Sequence, residues 1–128
     1  MRLLLDTHAL IWSCFDRQKL SPTVKAILND TSNDLFFSSA SIWEMAIKCG
    51  IKKLYIPGGI PNMILDLGSE LSANAMPVNM SHAAAVEHLP HYHSDPFDRI
   101  LVAQCLTNDM VIVSIDDKLD PYGVERLW

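Results

Sequence analysis

No stretch of this chain approaches the roughly 18–20 consecutive apolar residues that a membrane helix needs, so a spanning segment is excluded. The opening residues lack a positive segment followed by a long apolar run and a small-residue cleavage site, and a cytoplasmic protein is expected. Cysteine is scarce and odd in number. Cys14, Cys49 and Cys105 lie far apart in helix-like apolar surroundings, which argues against a disulfide framework or a zinc site and for reduced, buried thiols. Positive charge is also short: ten basic residues face fifteen acids, for a formal net charge of −5. A chain so balanced does not attract nucleic acid through its overall field, and any nucleic-acid chemistry needs a local basic patch or bound cations. Repeats, low-complexity tracts and linkers are absent, and 128 residues are read as one domain, 1–128. No serine, histidine and acid fall into a triad pattern, and no cysteine has an activating setting.

What is present is an alternation of short apolar runs and helical patterns. Leu3, Leu4 and Leu5 form an unbroken apolar run suited to a strand covered on both faces. Asp6 ends it, and Thr7 opens a helix. Ser21 and Pro22 read as N-cap and first position of a helix over 22–29, with Val24, Ile27 and Leu28 on one face. Residues 35–38 form a second buried strand. A helix over 39–48 follows, with Ile42, Met45, Ala46 and Cys49 at core-facing spacing and Gly50 as its stop. Residues 52–59 are a loop, and Pro61 opens a helix to about Leu71. Residues 75–78 make a weak third strand, and 81–88 an alanine-rich helix able to pack closely. A loop over 89–94 leads to Asp95-Pro96 and an apolar helix over 97–107. Residues 110–113 are the clearest strand, followed by Asp116-Asp117, and 124–128 supply a short edge strand. Alternating strands and helices predict an α/β fold, with a central, mainly parallel sheet between helical layers.

Acids recur where the best strands end. Asp6 follows the first, Glu44 lies in the helix after the second, Asp116 follows the last, and Asp98 lies in the first turn of the helix before it. Ends of parallel strands share one sheet edge, so carboxylates distant in sequence can converge there. Each has a local alternative. Asp6 can cap the next helix. Ser41-Ile42-Trp43-Glu44 matches a capping box, unless the helix begins at Ser38 or Ser39. Asp95-Pro96-Phe97-Asp98 can be a cap and an acid complementing the helix dipole, and Asp116-Asp117 can be a turn. Converging ionised acids would raise one another's pKa values. A hard divalent cation removes that penalty, and oxygen ligands select Mg²⁺ or Mn²⁺, which suits hydrolysis of a phosphodiester. Thr7 and Ser114 can hold a carboxylate or a water beside these acids.

LLLDTHALIW, SSASIWEMAIK, LPHYHSDPFDRILVAQ, VIVSIDD and the closing YGVERLW, in this order, resemble the PIN-domain family, and within it the VapC-type toxin ribonucleases of toxin–antitoxin pairs. The resemblance spans essentially the whole chain. It implies a three-layer α/β/α sandwich and an Mg²⁺- or Mn²⁺-dependent endoribonuclease whose four acids fall on Asp6, Glu44, Asp98 and Asp116. Asp95 then has a secondary role as cap or outer acid. Ser114 stands where the family more often has Thr, which keeps the hydroxyl. A cognate antitoxin, an RNA substrate and a homodimer are also implied. The alternative is a catalytically silent module of the same fold that binds RNA or protein. Phosphotransfer fits less well: a phosphatase wants an aspartate where His8 stands, and Lys118 is a poor match for a receiver's lysine. Among other positions, Arg99 can meet a phosphate or pair with Asp95 or Asp98, and His91 and His93 read as an incidental loop pair. Lys48, Lys52 and Lys53 are the densest positive cluster, able to line an RNA path or simply to solvate a helix end. Trp12 and Trp43 are read first as core residues.

Overall fold

The computed structural model describes residues 1–128, and its strands all run parallel in one sheet. The strands are β1 (Arg2–Leu5), β2 (Asp34–Ser38), β3 (Asn74–Met76), β4 (Val111–Val113) and β5 (Arg126–Leu127), in the order β3-β2-β1-β4-β5. The helices are α1 (Thr7–Phe15), α2 (Pro22–Asn29), α3 (Ser39–Gly50), α4 (Ile60–Ser69), α5 (Met80–Ala85) and α6 (Pro96–Asn108).

Side chains alternate across a strand, and the apolar runs therefore feed two cores. Leu3, Leu5, Leu35, Phe37 and Val113 face one layer with Leu10, Val24, Met45, Met63 and Leu67 from α1 to α4. Leu4 and Ile112 face the other with Leu101, Val102 and Cys105 of α6 and with Leu119. Burial on both faces is why strands this short read as continuous apolar runs. The three-layer α/β/α sandwich expected from the alternation is what forms. No helix is long and apolar enough to cross a membrane.

Local chemistry explains most boundaries. Ser21 caps α2 by accepting from Val24 N–H at 3.1 Å, with Pro22 at its start. Asp109 ends α6 in the left-handed conformation at φ 52°. Four expectations need correction. Ala46 is exposed; the inner face of α3 is instead Ser41, Glu44 and Met45. α3 ends at Gly50, yet Gly50 is its last helical residue rather than a left-handed stop, and the left-handed turn falls two residues later at Lys52, φ 58°. The alanine-rich segment splits into α5 and a short 3₁₀ turn over Val86–His88. It docks through buried His82, 2.7 Å from Asn108 Nδ2 on α6, while Ala83 and Ala84 are exposed. The stretch after Asp116 is a 3₁₀ helix over Asp117–Tyr122 rather than a simple turn. All three cysteines are free, Cys105 buried and Cys14 and Cys49 half-buried.

Candidate functional site

The strand order makes β1 the point where the chain changes direction: β2 and β3 lie to one side, β4 and β5 to the other. In open α/β sheets the crevice at such a reversal, beyond the carboxyl ends of the strands, is where ligands bind. Asp6 sits at it, its N–H donating to Val113 O at 3.0 Å across the β1–β4 junction. Its Oδ1 also caps α1 by accepting from Ala9 N–H at 2.8 Å. Capping and a place at the sheet edge are therefore one position, not rival readings. The carboxylate is buried and its pKa is raised. Burial is the main cause, Glu44 adds, and hydrogen bonds from Ser114 and Ala9 oppose with His8.

Glu44 lies well inside α3, whose N-cap is Ser38, accepting from Ala40 N–H at 3.0 Å. The capping-box alternative falls with that boundary. Buried Glu44 accepts at Oε1 from the Thr7 hydroxyl at 2.7 Å and at Oε2 from Lys48 Nζ at 2.6 Å. Thr7 Oγ1 also lies 3.0 Å from Ser41 Oγ. Lys48 has a raised pKa, first through its bond to Glu44, against partial burial, with Asp95 and Asp98 adding. It therefore belongs to the acidic rim rather than to a free helix end.

Asp98 occupies the first turn of α6 behind the N-cap Asp95, whose Oδ1 accepts from Phe97 N–H at 2.8 Å. Its carboxyl is pushed up to about 7 by burial and then by Asp95, Asp6 and Glu44, with His93 opposing. Acids from three separate elements thus act on one another. Asp116, just past β4, caps the final 3₁₀ helix through Lys118 N–H at 3.0 Å, and its own N–H donates to Ser114 Oγ at 3.1 Å. Burial raises its pKa, but the bonds from His93 and from Lys118 N–H outweigh this and the net shift is downward.

His93 is the residue that the sequence undervalued. Its Nδ1 accepts from Asp95 N–H at 3.1 Å, so in the neutral ring the proton resides on Nε2. That nitrogen lies 2.8 Å from Asp116 Oδ2 and 3.4 Å from Asp98 Oδ2. The three donor atoms lie within 4.8 Å of one another. A histidine two residues before an acidic N-cap was the available signal, and only the folded loop gives it meaning. His91 is exposed and takes no part. Arg99 also departs from expectation. Its buried guanidinium donates to Pro90 O at 2.7 Å, Leu89 O at 3.2 Å and Tyr122 Oη at 3.0 Å, pairing with neither Asp95 nor Asp98. It fastens the loop that carries His93.

Contacts run along the edge from Glu44 to Thr7, from Ser114 to Asp116, from Asp116 to His93 and from His93 to Asp98, and the Ser114 hydroxyl also lowers the pKa of Asp6. Carboxylates so crowded that two have raised pKa values present a hard-oxygen donor set whose strain a divalent cation would relieve. The donors fit Mg²⁺ or Mn²⁺ better than zinc, because no thiolate is near and His93 Nε2 is committed to hydrogen bonding.

A parallel α/β/α sandwich with acids at its topological reversal is the class that fold and site define. Residues 3–124 match the PIN domain, and the chain belongs to that family. No match to a curated protein sequence is found. Among solved structures, the chain is similar to VapBC2 from Rickettsia felis bound to a DNA fragment from their promoter. That match has a TM-score of 0.72 at 10% identity, covering 99% of this chain and 98% of that one. DNA-bound VapBC from Salmonella typhimurium gives 0.68 at 14%, covering 99% and 97%. VapBC-1 from nontypeable Haemophilus influenzae gives 0.64 at 16%, covering 99% and 97%. At these identities the likeness is one of fold.

Proposed function

We propose that this PIN-domain protein is a metal-dependent endoribonuclease, the toxin of a toxin–antitoxin pair, with Asp6, Glu44, Asp98 and Asp116 as its metal-binding acids. The observation that carries the reading is the convergence of Asp6, Glu44, Asp98 and Asp116 from separate elements on one sheet edge, where burial and the neighbouring acids push the Asp98 carboxyl up to about 7. Mutually destabilising carboxylates are retained where a cation uses them. When bound, Mg²⁺ or Mn²⁺ would supply an activated water and neutralise charge at the scissile phosphate. Thr7 orients Glu44, Ser114 orients Asp6 and the Asp116 backbone, and His93 holds Asp98 and Asp116 at hydrogen-bonding range. Asp95 serves as the cap that aims Asp98 and as an outer charge on it.

The VapBC names of the structural neighbours support a cognate antitoxin as partner, and a homodimer and a cytoplasmic setting belong to the same reading. One observation favours the silent-module alternative. Lys48 already neutralises Glu44 at 2.6 Å, as it would in a site that holds no metal.

Incubation with total RNA, with and without Mg²⁺, followed by end mapping, tests the proposal. Cleavage that needs the metal and leaves 5′-phosphate and 3′-hydroxyl ends is expected. Asp6→Asn should reduce cleavage to background while keeping the fold, since asparagine caps α1 equally well. Wild-type cutting by that variant would overturn the assignment.

A further inference from the structure

Tyr122 closes the 3₁₀ helix over Asp117–Tyr122, the helix that Asp116 caps. Its ring is buried and shares the second core with Leu4, Leu101 and Leu119. Packing accounts for the ring but not for the hydroxyl, since phenylalanine would fill the same space. A phenol oxygen has two lone pairs, and two donors from different segments meet this one. The His93 N–H donates to Tyr122 Oη at 2.8 Å and the Arg99 guanidinium donates to it at 3.0 Å. Arg99 has further acceptors in the Leu89 and Pro90 carbonyls. The His93 N–H has no other, so this oxygen is its sole anchor.

One atom thereby joins three segments that each carry a member of the cluster at the sheet edge. Asp98 precedes Arg99 on α6, His93 belongs to the loop before it, and Asp116 caps the helix that Tyr122 ends. We propose that Tyr122 is a positioning residue for this edge, its hydroxyl seating the His93 main chain and so setting the approach of His93 Nε2 to Asp98 and Asp116. The proposal rests on the metal-site reading and deepens it by naming what holds two of the four acids at a shared spacing. The lever is short: Tyr122 Oη bonds the main chain of the residue whose ring reaches Asp116 Oδ2 at 2.8 Å and Asp98 Oδ2 at 3.4 Å. The bond from Asp95 N–H to His93 Nδ1, at 3.1 Å, orients that ring without tying the loop to the last helix. The last helix is itself fastened, because Arg126 donates to Asp120 at 2.6 Å and to the Ser114 carbonyl at 3.0 Å. Tyr122 thus links a helix tied to β4 and β5 with a loop that has no strand of its own. A tyrosine has only two side-chain torsions to freeze, which suits it to hold a spacing.

Metal-free NMR of the full chain tests the positioning, with Tyr122→Phe set beside Val102→Ala, which opens a cavity in the same core. In Tyr122→Phe the His93 amide, measured against the Asp6 amide bonded to Val113 O, should lose about tenfold or more of its protection from hydrogen exchange. The hydrogen-bonded Nε2–H signal of the His93 ring, downfield in the wild type, should move upfield or broaden away. Val102→Ala should lower the melting temperature without either change. In a parallel calorimetric titration Tyr122→Phe should bind Mn²⁺ about fivefold or more weakly than the wild type, and Val102→Ala should stay within about twofold of it. Unmoved His93 signals in Tyr122→Phe, or the same selective losses in Val102→Ala, would overturn the proposal. Equal Mn²⁺ affinity in Tyr122→Phe and a wild type that binds the ion refutes the positioning role alone. A wild type that binds no Mn²⁺, with the His93 signals of Tyr122→Phe moving as expected, refutes the metal-site reading alone.

Discussion

Single residues at this edge do two jobs, and the second is visible only in three dimensions. Asp6 caps α1 and is also the acid at the strand reversal. His93 is a loop residue by sequence and a bridge between two carboxylates by geometry. If the bridge positions Asp98 and Asp116, His93→Ala should weaken Mn²⁺ binding by about 10–100-fold, as loss of an outer-shell partner does. His93→Gln, which still offers an N–H, should recover part of that affinity. Titration calorimetry on both variants checks this, and a merely structural histidine would lower the melting temperature of both without separating their Mn²⁺ affinities. Arg99 was less legible still. Its three acceptors are two backbone carbonyls and a tyrosine hydroxyl from a later turn, none of which the neighbouring letters suggest.

At the scale of elements, the strands and most caps were legible because their causes are local. Leu3 to Leu5 form a strand whichever layer covers them, and Ser21-Pro22 starts a helix from its own chemistry. Misreadings came where a distant contact decided the outcome. Ala46 fits an apolar spacing, yet the inner face of α3 turns toward Thr7 and so carries Ser41 and Glu44. Asp6, Asp98 and Asp116 lie next to a strand end or helix start, where local pattern singles them out, whereas Glu44 lies well inside α3. The hydroxyl of Ser114 was legible as a partner for these acids, but the link through His93 was not. Gly50 is the last helical residue of α3, with the left-handed turn left to Lys52, and a β-carbon added at Gly50 meets nothing within 4 Å. Gly50→Ala should therefore stabilise the protein by about 0.5–1 kcal/mol. Urea unfolding reads this as a higher midpoint at unchanged slope, and a lower midpoint would mean that α3 does not pass through residue 50 as described.

At the scale of the whole molecule, the site has an electrostatic cost that depends on pH. Asp98 ionises near 3.8 in an unstructured chain and at about 7 when folded. Between those values the folded protein keeps a proton that the unfolded chain releases, so its stability falls as pH rises through that window and levels off above it. Asp6 acts in the same direction. Asp116, shifted downward, contributes stability that is lost only on acidification below about 4. In EDTA, Asp98→Asn should accordingly raise stability at pH 8 by about 1–2 kcal/mol, discounted for the solvent that reaches the side chain, or about 3–6 °C in melting temperature. The gain should vanish near pH 4. A variant that melts lower than the wild type at pH 8 would show that Asp98 is not under electrostatic strain. A cation reverses the logic, since it needs the ionised form: Mg²⁺ or Mn²⁺ should stabilise the wild type more at pH 8 than at pH 6.

The measurement closest to the centre of this account is calorimetric titration of Mn²⁺ into the wild type, Asp6→Asn and Asp98→Asn at pH 8. Saturable binding to the wild type, weakened in both variants and falling by up to about tenfold per unit of pH below 7 in the wild type, is the predicted result. No saturable binding, or equal affinity in all three proteins, would mean that these acids do not share a cation.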